Sequence, residues 1–202
     1  MPLELLTRPH FETALSQLPP DSLVSLALTD LDHFKEINDD YGHATGDAVL
    51  RHLETVLRGS LPPEALLARL GGDEYAVALP GLPAENALIL LEEVRTHFSS
   101  RTPSPEIPRK VHLSVGIASR PPHAKDIPDL LRAADEALYR AKTEGRGRVA
   151  IYAQSKMTLK SNYYSKASLE RLSKLSDALN RTEASLLREA LDDLTIKHGE
   201  AL

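Results

Sequence analysis

The sequence predicts an α+β fold in which helices pack against a mixed sheet, followed by a small C-terminal β-α-α module. Two observations lead to this prediction. Apolar, β-branched runs alternate with segments of helical periodicity up to about residue 153, and beyond it the chain becomes polar and then rich in leucine. We therefore expect two domains, over residues 1–153 and 157–202. A chain of 202 residues is long enough for one medium core and a small appendage.

The elements of the first domain follow from the spacing of their apolar residues. An amphipathic opening segment ends at Pro19 and Pro20, and Pro62 and Pro63 end a later helix. The Pro-rich stretch 101–108 is typical of an exposed loop. The predicted strands lie at residues 23–28, 66–70, 75–79, 111–117 and 149–152, and the predicted helices at 34–38, 49–57, 87–98 and 130–141.

Acidic residues stand at the ends of two of these strands. Asp30 follows the first strand, whereas Asp73 and Glu74 follow the Gly71-Gly72 pair of a predicted hairpin. Two glycines can adopt the positive φ angles of a tight two-residue turn without a Cβ penalty. Such a turn would hold both acids at a rigid sheet edge, where a neighbouring strand could bring Asp30 close. Converging carboxylates suit a hard cation such as Mg²⁺, so this pattern favours a metal-dependent nucleotide enzyme over ordinary turn carboxylates.

Composition narrows the possible functions. The formal net charge of −5 argues against a wholly basic nucleic-acid coat but permits a local binding face. The absence of cysteine excludes disulfides, thiolate catalysis and Cys-ligated zinc. No apolar run approaches the roughly 20 residues that span a bilayer, and the first residues lack the pattern of a secretory signal. We therefore expect a cytoplasmic protein without a membrane partner.

Residues 23 to 152 resemble the GGDEF domain of diguanylate cyclases. The segments that carry the resemblance, in the family's order and spacing, are residues 29–39, 42–47, 69–75, 114–118, 134–142 and 145–146. The resemblance implies a nucleotidyl-cyclase-like palm with a mostly antiparallel central sheet. It also implies an activity, the joining of two GTP molecules into cyclic di-GMP at the face-to-face sites of a homodimer.

The same resemblance assigns metal and base contacts to individual residues. Asp30 and Asp73 would bind Mg²⁺, or Mn²⁺ in its place, through their side chains, with help from the backbone carbonyl of Leu31. Asn38 and Asp47 would hydrogen-bond the guanine edge. A carboxylate accepts from two adjacent N–H donors of guanine that adenine lacks, so Asp47 also favours GTP over ATP.

Cations would hold the triphosphate of the substrate. The resemblance gives this role to Lys35, Lys142 and Arg146, together with backbone amides near Phe34, because fixed cations offset the charge that grows in the transition state. Glu74 would lie beside the metal and help to activate the attacking 3′-hydroxyl, and how this task divides between the two turn acids stays open. The predicted catalytic residues are Lys35, Asp73 and Glu74.

The chain departs from the family pattern at three places. Tyr75 replaces the usual Phe, which we expect to be tolerated because the aromatic ring is retained. Pro62 and Ala65 replace the Arg and Asp of the family's Arg-x-x-Asp product-inhibition motif, so feedback inhibition through that site should be absent. The opening segment is abbreviated, and only a few positions between Thr7 and Phe11 match the family.

The tail, over about residues 157 to 197, resembles a ribbon-helix-helix module. A short strand at residues 158–164 would precede two leucine-rich helices. Elements this small cannot bury a leucine stripe alone, so the tail should dimerise or dock on the preceding domain. In such modules the paired strands enter the major groove of DNA, which would direct Ser161 and Tyr163 toward the bases with Leu159 or Lys160 beside them.

Two functions therefore stay open. The first is a diguanylate cyclase that is controlled through its dimerising tail, which the intact motifs favour. The second is a nucleotide-responsive DNA-binding regulator, although the nearly balanced charge of the tail is unlike the basic excess of most DNA binders. Simpler roles compete with some assignments: Asn38 and Asp47 could cap helices, and Lys142 and Arg146 could complement a helix dipole.

Overall fold

The computed structural model describes residues 3–100, 110–153 and 164–179, together with seven single positions between residues 183 and 197. The chain divides into two compact units, residues 1–155 and 156–202, which are described separately. In the described part of the chain, no helix has the length and apolar character needed to cross a bilayer. The predicted loop at residues 101–108 lies outside the described residues.

The first unit is built on a six-stranded mixed sheet with the strand order β1-β3-β4-β2-β5-β6. The β2–β4, β2–β5 and β3–β4 pairs are antiparallel, and the two outer pairs, β1–β3 and β5–β6, are parallel. The strands are β1 (Leu5–Thr7), β2 (Val24–Leu31), β3 (Leu66–Gly71), β4 (Glu74–Pro80), β5 (Leu113–Arg120) and β6 (Val149–Ile151). The helices are α1 (Arg8–Ser16), α2 (Phe34–Tyr41), α3 (His43–Ser60), α4 (Ala84–Ser100) and α5 (Ile127–Thr143).

These elements confirm the five strands and four helices that apolar spacing predicts for this unit. The opening segment differs, because it begins as the edge strand β1, whose Leu5 pairs with Leu67. Three residues are too few to show a period of two, so the sequence gives no sign of this strand. The abbreviated segment nevertheless docks: Phe11 and Leu15 of α1 are fully buried.

Helices cover both faces of the sheet. On one face, α1 and α5 pack with β2 side chains such as Val24 and Leu26 in one buried cluster. On the other face, α2, α3 and α4 pack with the alternate β2 residues Ala27 and Leu31 in a second cluster. The period-two alternation of the strands thus divides the core into two layers.

Helix α5 lies unusually close to β5 because of Gly116. A Cβ at this position would lie 2.0 Å from the backbone nitrogen of Leu138 and 2.4 Å from the carbonyl oxygen of Ala134. No side chain separates helix and strand at this point. The contact fixes the height and register of α5 on the sheet.

In the second unit, α6 (Lys166–Leu179) confirms the first helix predicted for the tail. Leu169 and Leu175 on α6 are 45% and 48% exposed. The predicted strand at residues 158–164 falls almost entirely outside the described residues, and so do Lys160, Ser161 and Tyr163. The ribbon-helix-helix module and its DNA contacts therefore stay predictions.

We expect Gly116→Ala to lower the free energy of unfolding by about 3 kcal/mol, because a methyl group must push backbone away from backbone. Gly59→Ala is the matched control: Gly59 lies within α3 and a Cβ there meets no atom within 4 Å. The control should raise stability by about 0.5–1 kcal/mol, since alanine is the better helix former. Chemical denaturation of both variants measures the difference, and equal midpoints would contradict the close packing of α5.

Candidate active site

The pairing of β2 with β4 brings together the acids that the sequence singles out. Asp30 lies directly opposite Glu74 on β4 and opposite Ser114 on β5. Residues that face each other across antiparallel strands present their side chains on the same face of the sheet. This face is the one covered by α5, whose Lys142 extends to Asp30 with Nζ 2.7 Å from a carboxylate oxygen.

The β3–β4 turn differs by one residue from the predicted Gly71-Gly72 turn. Gly71 still pairs with Glu74, so the two turn residues are Gly72 and Asp73. Gly72 has a φ of +52°, the sign that a type II′ hairpin requires at its first central residue. Arg69 braces the turn from β3 by donating from Nε and Nη2 to the Gly72 carbonyl, at 3.0 and 2.6 Å. Asp73 is thereby held at the tip of a supported turn.

The electrostatics of the turn indicate a site with excess negative charge. Partial burial raises the pKa of Asp73, and the charges of Asp30 and Glu74 raise it further. A hydrogen bond to backbone and the charge of Lys142 act in the opposite direction without cancelling the shift. The charges of Asp30 and Glu74 thus act on Asp73, and this excess of negative charge favours the approach of a cation.

Tyr75 has a contact that the sequence did not reveal. Its ring is fully buried, as the retained aromatic character predicts, but its hydroxyl donates to Glu54 Oε1 of α3 at 3.0 Å. Burial and the Glu54 carboxylate raise the pKa of this hydroxyl, which therefore stays protonated. The Arg69 guanidinium lies over the Tyr75 ring, 5.9 Å from its centroid. Tyr75 thus connects Arg69, the side chain that supports the turn, to helix α3.

The residues predicted to read guanine lie where α2 meets α3. A Cβ on Gly46 would lie 2.0 Å from Asn38 Oδ1 and 3.2 Å from the Phe34 ring, so the bare backbone of Gly46 makes room for both side chains. Asp47 follows directly on α3 and is exposed. The structure therefore places Phe34, Asn38 and Asp47 around one helix junction.

The remaining predicted phosphate ligands lie on two separate segments. Lys35 is exposed in the first turn of α2, where the helix still has unpaired backbone N–H groups. Arg146 is exposed in the turn after α5, and its φ of +60° is rare for a residue with a side chain. This turn and His33, the residue that precedes α2, line a common cavity of about 350 Å³.

The acids present fit a magnesium ion. Among the described residues, no three His, Cys, Asp or Glu side chains form a metal cluster. Mg²⁺ needs fewer than three protein side chains, because it usually binds one or two carboxylates together with substrate phosphates and water. Asp30 and Asp73 supply two carboxylates. Burial is the main cause of the raised pKa of Asp73, and the charge of Asp30, which a cation would offset, raises it further. Leu31 has an apolar side chain that is buried in the core, so this residue could contribute only its backbone carbonyl to an ion.

A family model described as "Diguanylate cyclase, GGDEF domain" matches residues 5–148. The chain belongs to this family. The match includes the opening segment around Thr7–Phe11, in which only a few positions agree with the family motif.

Curated relatives and solved structures agree with a GGDEF domain. The chain is 38% identical over 127 residues to the probable diguanylate cyclase DgcT of Escherichia coli, covering 61% of this chain and 28% of the relative. It is 36% identical over 148 residues to a diguanylate cyclase of Vibrio cholerae, covering 73% of this chain and 45% of the relative. The chain thus spans less than half the length of these two relatives.

Two solved GGDEF domains share the fold of the first unit. The GGDEF domain of PA1120 from Pseudomonas aeruginosa matches with a TM-score of 0.70 at 36% identity, over 75% of this chain and 99% of that domain. The GGDEF domain of DgcB from Caulobacter crescentus, solved in complex with c-di-GMP, matches with a TM-score of 0.67 at 33% identity, over 74% and 92% of the two chains. The nucleotidyl-cyclase-like α+β fold predicted from the sequence is therefore confirmed for this unit.

Proposed function

We propose that this protein is a diguanylate cyclase that condenses two GTP molecules into cyclic di-GMP and releases two diphosphates. The observation that carries the proposal is the meeting of Asp30, Asp73 and Glu74 at one sheet edge, within a GGDEF domain. In each half-reaction the 3′-hydroxyl of one GTP attacks the α-phosphorus of the other. A P–O bond forms, the bond to the diphosphate breaks, and the hydroxyl proton leaves to a base.

The two acids at the end of β2 and in the turn would hold Mg²⁺, or Mn²⁺, which also prefers oxygen ligands. When bound, the ion neutralises charge on the phosphates of the substrate. Asp30 and Asp73 would bind it through their side chains and Leu31 through its backbone carbonyl. Glu74, opposite Asp30 and exposed, is free to face a second substrate and accept the proton of its 3′-hydroxyl.

Cations from two elements would position the triphosphate. Lys35 lies at the N-terminus of α2, where the first backbone N–H groups, beginning at Phe34, favour an anion. Lys142 already lies within 2.7 Å of Asp30, so it can bridge the acids and a phosphate. Arg146 lines the cavity next to the start of α2 and would bind from the opposite side. Together these groups would stabilise the charge that develops on the leaving diphosphate.

The helix junction would select guanine. Asp47 would accept from the N1–H and the exocyclic amine of guanine, while Asn38 would bond the same edge of the base. Support comes from Gly46, whose missing side chain leaves the space that Asn38 occupies.

Product inhibition through the family's Arg-x-x-Asp motif should be absent. Pro62 and Ala65 stand at its two charged positions, and Ala65 is buried. Neither residue can form an ion pair or a charge-assisted hydrogen bond with a cyclic dinucleotide.

The tail would supply the dimer that the reaction needs, because each domain holds one GTP and two domains must face each other. Leu169 and Leu175, which lie at the two edges of the leucine stripe on α6 with Leu172 between them, are about half exposed. A second copy of the same helix is the partner that would bury this stripe in a symmetric manner. Dimerisation through the tail would then control the cyclase.

Asp73→Ala should lower cyclic di-GMP formation by at least about a hundredfold, since it removes a metal ligand that is worth several kcal/mol in the transition state. Incubation with GTP and Mg²⁺ followed by mass spectrometry of the products measures the loss. Asp21→Ala is the control, because Asp21 is another exposed turn aspartate, and it precedes β2 whereas Asp30 lies near the other end of that strand. Normal turnover by Asp73→Ala would refute the ligand assignment.

Asp47→Ser should reduce the preference for GTP over ATP by about tenfold, the value of a charge-assisted hydrogen bond. The ratio of kcat/KM for the two nucleotides gives the answer. Asp40→Ser changes a nearby exposed aspartate on α2 and should leave the ratio unaltered. If both variants keep the ratio of the parent, Asp47 does not read the base.

The double variant Leu169→Glu/Leu175→Glu should shift the protein from dimer to monomer and reduce activity at micromolar concentration, because two like charges would face each other in the apolar stripe. Light scattering coupled to size exclusion gives the mass. Lys174→Glu, an exposed polar position on the same helix, serves as the control. A monomeric parent with full activity would exclude control by tail dimerisation.

A further inference from the structure

Asp32 is a buried acid to which the sequence motifs assign no role. It follows β2 directly and is 7% exposed. One carboxylate oxygen accepts from Ser114 Oγ of β5 at 2.7 Å, and the other accepts from the backbone N–H of Gly147 at 2.9 Å. Neither partner carries a charge, although burial of a carboxylate is costly. A single side chain therefore ties the end of β2 to the turn after α5, 115 residues later.

The turn that Asp32 holds has an unfavourable backbone. Gly145, Arg146 and Gly147 have φ angles of +118°, +60° and +57°. The left-handed conformation costs a residue with a side chain about 1–2 kcal/mol, so Arg146 adopts it only where the surroundings impose it. Two hydrogen bonds hold the turn in this conformation. Arg146 N–H donates to the Ala141 carbonyl at 3.0 Å, and Gly147 N–H donates to Asp32.

The held turn lies beside His33, the residue before α2, and the first turn of α2 carries Lys35, another expected ligand of the triphosphate. Asp32, His33, Arg146 and Gly147 line one cavity of about 350 Å³, and His33 immediately precedes α2. The position of the Arg146 guanidinium relative to the start of α2 therefore depends on the Asp32–Gly147 bond.

We propose that Asp32 is a positioning residue that fixes the Arg146 turn against the end of β2, so that the guanidinium meets the β- and γ-phosphates of GTP. This inference rests on the proposed function, since it takes Arg146 as a triphosphate ligand. A purely structural anchor would affect stability alone. A positioning residue also changes the affinity for the phosphates that Arg146 binds.

A double-mutant cycle on the full chain separates these roles. Calorimetry measures the binding of a non-hydrolysable GTP analogue, and of GMP as the probe without β- and γ-phosphates, to Asp32→Ala, Arg146→Ala and the double variant. Each single variant should bind the analogue about tenfold more weakly and GMP as the parent does, because one charge-assisted contact is lost. The double variant should bind no more weakly than Arg146→Ala.

The outcomes that overturn the inference are distinct. If Asp32→Ala binds the analogue as the parent does, or if the two losses multiply in the double variant, Asp32 does not act through Arg146. If Arg146→Ala alone binds the analogue normally, the triphosphate assignment itself is wrong and the positioning role fails with it.

Two conservative variants test the same idea should Asp32→Ala fail to fold. Asp32→Asn keeps an oxygen for Gly147 N–H and can donate its amide to Ser114 Oγ, since a hydroxyl also accepts. Asp32→Glu keeps the charge but moves it outward by one methylene. Positioning predicts parent-like affinity for Asp32→Asn and about tenfold weaker binding of the analogue by Asp32→Glu. The reverse order would assign the effect to charge and overturn the proposal.

Discussion

The antiparallel register between β2 and β4 is the constraint on which the site depends. Asp30 lies opposite Glu74 and Thr29 opposite Tyr75, so acids share one face of the sheet while the tyrosine lies in the core on the other. A slip of one residue would place Asp30 opposite the buried Tyr75 ring. It would also move every side chain of the slipped strand to the other face of the sheet. Such a slip would turn the Asp30 carboxylate toward the apolar cluster that contains Ala27 and Leu31, and the cost of burying the charge there opposes it.

The two segments that would bind phosphate are far apart in sequence and are joined by polar contacts at the end of β2. Lys142 reaches Asp30, and the Gly147 amide reaches Asp32, so alternate residues of the same chain segment hold the end of α5 and the turn that follows it. If these segments bind the triphosphate as proposed, a strand end sets their relative position. Sites built on such elements keep their geometry before a ligand arrives.

Much of the architecture was predictable because the relevant signals are local. Strands β2, β4 and β5 are long and mostly apolar or small in side chain, and Asp73 and Glu74 follow directly on the glycines of the turn. The turn itself lies one residue later than predicted, because both glycines permit positive φ and only the irregular pairing between Arg69 and Gly71 decides between them. The sequence could not reveal the Tyr75–Glu54 bond or the Asp32–Gly147 bond. Their partners lie 21 and 115 residues away, and no periodic pattern links them.

The bare strand surface at Gly116 has a consequence for how such a molecule can be switched on or off. At Gly116 the main chain of α5 rests on the main chain of β5, so no side chain lies between them there that could be repacked in a second arrangement. Gradual loosening of the contact between α5 and β5 is therefore a poor means of controlling this domain. Control is better exerted from outside the domain, by changing how often two copies of it meet in the productive orientation.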